Sequence, residues 1–413
     1  MRYLSLLLIV SFASISLAEP PTASSPTWKK LQLSDKFYCE GANFADFNKD
    51  GKIDVVSGPW WYEGPDFTKK HEIYKPTGNQ EAGSYKPDND YSDNFFAFIY
   101  DFNNDSLPDV LIYGFPGKEA RVYLNPGQEN IDKHWEMKLV FDSVDNESPQ
   151  FADINGDGKP DGIFHSQETL GYATADWSDP LKKWTYHSIS PKGGWQRFTH
   201  GYGLGDVNGD GRTDILEAKD WWEQPADANA KEWIKHPFNF AGGGAQMYVY
   251  DVDGDGKNDV ITSLNAHGWG LAWYKQVKND KGEITFEKNI IMDDKGNANA
   301  QGVRFSQLHA LDFIDINGDG LKDIVTGKRW YAHGSHGDAE PNATPVLYWF
   351  ELKRDNGKVQ WIGHQIDDNS GVGTQVIAGD INGDKTPDIV VGNKKGTFVF
   401  LSQPPATKTA AAK

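Results

Sequence analysis

The sequence predicts an all-β fold: a seven-bladed β-propeller with four-stranded blades, the last of them completed by the N-terminal strand. Three observations predict it. A nine-residue acidic loop recurs seven times, starting at Asp46, Asp101, Asp153, Asp206, Asp251, Asp315 and Asp380, with 55, 52, 53, 45, 64 and 65 residues between starts. The same series of strand-like runs surrounds every copy. The final repeat is one strand short, and a matching strand stands at the other end of the chain. A recurring period of this kind marks a repeat architecture and overrides the two or three domains that 413 residues would otherwise suggest.

An apolar run enters each loop ("FFAFIYD", "MYVYD", "QVIAGD") and a β-branched run leaves it ("PDVLIYG", "NDVITS", "PDIVVG"). A third run is aromatic ("RVYLN", "LAWYK", "VLYWF"), and the fourth often opens on tryptophan: "WEMKLVF", "WTYHSIS", "WIKHPFN", "WIGHQID". The last repeat stops after "GTFVFLSQ", while "WKKLQLSD" at Trp28 resembles a fourth strand. That strand is expected to close the ring and remove an exposed sheet edge. The propeller is assigned to residues 19–403 and a disordered tail to 404–413.

The loop spacing D-x-[DN]-x-D-x-x-x-D places oxygen ligands at positions one, three, five and nine, with a backbone carbonyl at seven, which suits Ca²⁺. The expected ligands are Asp46, Asn48, Asp50 and Asp54; Asp101, Asn103, Asp105 and Asp109; Asp153, Asn155, Asp157 and Asp161; and Asp206, Asn208, Asp210 and Asp214. The remaining copies contribute Asp251, Asp253, Asp255 and Asp259; Asp315, Asn317, Asp319 and Asp323; and Asp380, Asn382, Asp384 and Asp388. An EF-hand would need Glu at position twelve, which only Glu217 supplies, and flanking helices. Up to seven Ca²⁺ sites between strands are therefore expected. Ser106 and Lys385 replace the turn glycine in the second and seventh copies and weaken the expectation there.

The net charge of −18 argues against nucleic acid or an anionic membrane surface as partner. The loops hold 22 of the 59 acidic residues, so the acidity is ascribed to ion ligation. Residues 1–18 read as a secretory signal: Arg2, then "LSLLLIVSFASI", then small Ser16 and Ala18. The apolar run is too short for a membrane span, so an exported protein without membrane insertion is expected. Cys39 is the only cysteine, which excludes an internal disulfide.

The repeats resemble the FG-GAP/VCBS family of calcium-loop propellers, shared with integrin α-chain heads, over about residues 28–402. The stretches "HGYGLGDVNGDGRTDILEAKDWWEQP" and "LHALDFIDINGDGLKDIVTGKRWYAHGSHGD" are similar to the propeller domain of aldos-2-ulose dehydratase. That resemblance implies metal-assisted dehydration of keto-sugars, although the additional domains of those enzymes are lacking here.

A propeller places equivalent positions in rings. Six residues before each loop, at the opposite end of the entering strand, stand Glu40, Phe95, Glu147, His200, Ala245, His309 and Thr374. Two histidines and two glutamates there exceed what packing asks. Thirteen residues after each loop start, Lys219 and Lys328 fall in the repeats that carry those histidines, and His165, His267, His333 and His336 lie in loops of the same face. His71, His187, His236 and His364 recur in fourth strands and read as structural, as does His134. Trp61, Trp221 and Trp330 share one position and fit either sugar stacking or the start of the third strand, which is preferred.

The leading functional reading is a secreted carbohydrate lyase or dehydratase acting on a keto-sugar or uronic-acid glycan. Zn²⁺ or Mn²⁺ held by His200, His309 and Glu40 or Glu147 would polarise a carbonyl or carboxylate oxygen. Lys219, Lys328, Arg329, His165 and His267 are the further catalytic candidates. The competing reading is a non-catalytic propeller that binds glycan or protein.

Overall fold

The computed structural model describes residues 25–76, 86, 88–227 and 230–403. The expected signal segment and tail lie outside the described residues. Among these, the regular structure is 27 strands and two single-turn 3₁₀ helices.

Each acidic loop joins two antiparallel strands. Examples are Phe96–Tyr100 with Asp109–Tyr113, and Val376–Gly379 with Asp388–Asn393. The leaving strands are buried on both faces, as their unbroken apolar runs require. The aromatic run pairs next and the tryptophan-opened run outermost, as in Asp323–Gly327, Leu347–Asp355 and Lys358–Asp367. The strand Thr27–Ser34 pairs antiparallel with Gly396–Gln403, setting Trp28 opposite Ser402. The two ends of the described chain thus share one sheet.

Three sheets hold four strands each, but two runs merge on either side of the ring. Glu136–Ala152 is one 17-residue strand that ends one run and enters the next. Tyr202–Gly205 and Gln246–Tyr250 pair in parallel, which separate blades would not do. Glycine explains it: a Cβ at Gly203 would lie 2.1 Å from the Met247 carbonyl oxygen, and one at Gly205 2.4 Å from Val249 Cβ. At the position of Gly203 the other runs carry Asn43, Phe98, Gln150, Tyr248, Asp312 and Ile377.

The apolar core lies between consecutive runs. Val56 and Trp61 pack on Val110 and Tyr123; Leu216 and Trp221 on Met247 and Tyr274; Val325 and Trp349 on Val391 and Phe398. The last run returns to the first through Val390 and Val399 against Val55 and Tyr62. Entering strands therefore stand side by side at the centre, and they aim their ends at one place.

Candidate functional site: a histidine cluster opposite the acidic loops

Four segments deliver the site. His200 precedes Tyr202–Gly205 and His309 precedes Leu311–Ile314, while Glu147 lies within Glu136–Ala152 and His267 sits in the turn after Asp259–Ser263. Backbone hydrogen bonds lash these segments together: Glu147 N donates to Thr199 O (2.9 Å), Gln307 N to Gly268 O (2.7 Å), and Arg329 N to Gln307 O (2.9 Å). Gly243 leaves room for His200, whose Cβ would stand 3.1 Å from a Cβ added there.

The Nε2 atom of His200 stands 3.0 Å from that of His267 and 3.3 Å from that of His309. Glu147 Oε2 lies 3.5 Å from His200 Nε2 and 3.2 Å from His309 Nε2. Behind them Arg329 reaches His309 Nε2 at 2.9 Å and Glu147 at 3.7 Å, and it pairs with buried Glu40 at 3.1 Å. His200, His309 and Glu147 are thus brought together; Glu40 is spent on Arg329. The segment around His333 adds Asp338, which binds His333 Nδ1 at 2.9 Å and lies 3.6 Å from His267 Nδ1.

Burial, then the Arg329 charge, holds the His309 imidazole down to about 3, so it is neutral at pH 7. His267 is likewise pulled far down, by burial and then by the neighbouring His309, His200 and Arg329. Burial opposes ionisation of Glu147, but hydrogen bonds to His200 and His309 outweigh it and bring its carboxyl well below the usual range. Three imidazole nitrogens within 4.8 Å of one another, with a carboxylate oxygen beside two of them, form a donor set that fits Zn²⁺ or Mn²⁺.

The cluster lines one side of a cavity of about 380 Å³, whose other side is Tyr91, Phe95, Phe115 and Phe198. Phe115 packs edge-on against Phe95 and Phe198. Roomier clefts of about 600 and 660 Å³ lie elsewhere and contain none of these histidines.

In the acidic loops, position one accepts the backbone N–H groups that shape the turn, as Asp315 does from Gly318, Asp319 and Gly320. Asp251, Asp253 and Asp255 bring ligand oxygens within 4.8 Å of one another. Position nine has a different job. Asp54, Asp109, Asp214, Asp259 and Asp323 each accept one N–H from the loop and one from the third-strand side, as Asp323 does from Ile316 and Leu352. Ser106 (φ 72°) and Lys385 (φ 70°) take the same left-handed turn as the glycines of the other copies.

Against known proteins, the FG-GAP-like repeat family matches residues 101–164, 206–262 and 315–391, each stretch containing an acidic loop and the strands beside it. The chain carries FG-GAP-like repeats. It is 24% identical to a T-cell immunomodulatory protein homolog of Plasmodium falciparum (isolate 3D7), over 41% of this chain and 28% of that one. The FG-GAP chain thus spans little more than a quarter of that relative. Among solved structures it is similar to an Agrocybe aegerita lectin that recognises non-reducing terminal N-acetylglucosamine (18% identity, TM-score 0.47, 89% and 90% of the two chains). It is also similar to the Vibrio cholerae biofilm matrix protein Bap1 (12%, TM-score 0.40, 93% and 88%). At these scores neither likeness speaks to binding or chemistry. None of these relatives is an aldos-2-ulose dehydratase, so that likeness rests on the quoted stretches alone.

Three expected site residues of the FG-GAP chain stand apart from the cluster. Lys219 is exposed on a turn. Lys328 is buried, and its ammonium donates to Ser306 Oγ at 3.0 Å, while its neighbour Arg329 faces the cluster. His165 is enclosed against Tyr202 and Trp195, with Asn146 Nδ2 3.5 Å from its Nε2. Matched position in a repeat does not ensure matched direction. The fourth-strand histidines are structural, as expected. His71, His236 and His364 stack on Trp61, Trp221 and Trp349 and pair with Glu63, Glu223 and Glu351. Trp61 and Trp221 are therefore packing residues, and Trp330 stacks on Tyr331.

Sequence reasoning did not single out Asp338 or the aromatic wall. Asp338 belongs to the long insertion "AHGSHGDAEPNATP", whose "HGSHGD" segment offers metal-binding residue types but reads more readily as a polar surface loop. Tyr91, Phe115 and Phe198 come from loops without repeat positions.

Proposed function

We propose that this chain is an exported, calcium-stabilised seven-bladed propeller whose histidine cluster holds Zn²⁺ or Mn²⁺ and carries a carbon–oxygen lyase activity on a keto-sugar or uronic-acid glycan. The blade count is supported by the seven acidic loops, the return of the last core cluster to the first, and the Thr27–Ser34 closure. The single observation that carries the activity is the convergence of His200, His267 and His309 with Glu147 beside an open aromatic-walled cavity.

His200, His267, His309 and Glu147 would hold the metal, which when bound polarises the carbonyl or carboxylate oxygen of the sugar. Arg329 lies beside Glu147 and His309 and offsets negative charge that grows on that oxygen. His333 lines the cavity with Nδ1 held by Asp338, so its other nitrogen can serve as the proton acceptor. It removes the proton next to the carbonyl, the carbon–oxygen bond at the β position breaks, a carbon–carbon double bond forms, and the departing oxygen takes up a proton. The aromatic wall offers flat apolar faces to the C–H side of a pyranose.

The test is metal analysis of calcium-replete protein, together with ultraviolet absorbance of the unsaturated product from keto-sugars or uronic-acid glycans. His200→Ala or His309→Ala should each abolish the non-calcium metal and lower turnover by orders of magnitude, while His187→Ala changes neither. Saturable glycan binding without turnover in the metal-loaded protein would replace this reading with the non-catalytic propeller.

A further inference from the structure

We propose that Asp338 is a positioning residue of the metal centre: it receives the Nδ1–H of His267 and so keeps the His267 Nε2 lone pair aimed at the metal. The inference rests on the metal reading of the cluster given above.

A histidine that ligates through Nε2 must carry its proton on Nδ1, and the partner of that N–H fixes both tautomer and ring orientation. The His267 Nδ1 atom is buried and has no hydrogen-bond partner at bonding distance. The acidic oxygen beside it is Asp338 Oδ1, 3.6 Å away, a gap that a small rotation of either side chain closes. The Asp338 side chain is 4% exposed. Burying a carboxylate is costly unless it is paired and hydrogen-bonded, so its placement needs a reason.

Asp338 is also held firmly. Its Oδ2 accepts from His333 N and its Oδ1 from His333 Nδ1, both at 2.9 Å. The next residue is tied down as well: Ala339 O accepts from Ser306 Oγ at 2.7 Å and from Gln307 Nε2 at 3.1 Å, and Ala339 N donates to His267 O. The far side of the segment is pinned by Tyr91 Oη donating to Ala332 O (2.6 Å) and Ser335 N donating to Asp88 Oδ1 (3.0 Å). The insertion of one repeat thus delivers a carboxylate to the histidine of another. His309 Nδ1 is buried without a hydrogen-bond partner too, but the carboxylate beside that ring, Glu147, lies at Nε2 instead.

The experiment uses calcium-replete full-length protein, with Zn²⁺ affinity measured by chelator competition and Co²⁺ as a spectroscopic probe. Asp338→Asn should weaken Zn²⁺ binding by about 10- to 100-fold and shift the visible Co²⁺ bands. His333→Ala, which leaves Asp338 beside His267, should preserve most of the affinity and the Co²⁺ spectrum. Asp338→Glu should recover part of what Asp338→Asn loses, whereas a role confined to tethering the segment predicts equal loss in all three variants. Wild-type binding with an unchanged Asp338→Asn spectrum and affinity would overturn the positioning role alone. A second Zn²⁺ lost on His333→Ala would overturn it too, since Asp338 would then be a ligand. Absence of any tight Zn²⁺ or Co²⁺ in the wild type would overturn the metal centre and this role with it.

Discussion

The Nε2 atoms of His200 and His309 stand 3.3 Å apart, although 109 residues separate them in the chain. A tetrahedron with metal–nitrogen bonds of about 2.0–2.1 Å has ligand edges of about 3.3–3.4 Å. The spacing therefore matches two corners of a coordination shell, and Glu147 Oε2 at 3.2 Å from His309 matches a third. Two imidazoles can also share one proton at this separation, but His267 Nε2, at 3.0 Å from His200, then stands beside the same pair.

The acidic loops lead to a prediction about cations. Positions one, three and five are half-buried to exposed carboxylates and amides gathered at close range, and no disulfide braces the chain. Chelation should lower the melting temperature markedly and added Ca²⁺ should restore it. A melt unaffected by verified removal of Ca²⁺ would show that the loops hold themselves.

Positions five and nine should separate in a single loop. Asp323→Ala strips acceptors from the buried N–H groups of Ile316 and Leu352, at about 1–3 kcal/mol for each unsatisfied group. The loss should persist in chelator. Asp319→Ala should lower Ca²⁺ affinity yet leave the chelated protein nearly as stable as the chelated wild type, because Asp319 is exposed.

The closing strand can be tested by truncation. Deleting residues 19–36 removes the partner of Gly396–Gln403 and bares a sheet edge, so early melting or aggregation is expected. Deleting residues 404–413 should change little. Equal melting of the two proteins would deny Thr27–Ser34 its closing role.

Lys328 supplies a pH-dependent prediction. Burial pulls its ammonium down to about 8, so at pH 7 the folded protein bears the cost of a buried charge that the unfolded chain does not. Above pH 8 the folded form sheds that proton while the unfolded form keeps it up to about 10.4, and the cost is relieved. Lys328→Met should therefore stabilise the protein by about 1–2 kcal/mol at pH 7, after about 1 kcal/mol is lost for the bond to Ser306. The advantage should shrink between pH 8 and 10.5. A constant advantage across that range would mean that Lys328 holds its proton as firmly in the folded protein as in the unfolded chain.

Repetition is what made the fold legible. Seven loops with the same oxygen spacing impose the same turn, and apolar runs on either side can form only strands, so the all-β class and the Trp28 closure follow from local chemistry. The ring six residues before each loop brought out His200, His309 and Glu147 for the same reason. Direction and partnership were not legible. Lys328 and Arg329 are neighbours in sequence, yet only their tertiary surroundings decide that one is enclosed beside Ser306 and the other reaches His309. Asp338 arrives from an insertion with no counterpart in the other repeats, and Phe115 and Phe198 from loops whose course depends on what they pack against. The sequence by itself determined the repeating frame, because that rests on contacts close along the chain; the tertiary structure alone decided which side chains share a point in space, because that rests on contacts between residues about a hundred apart.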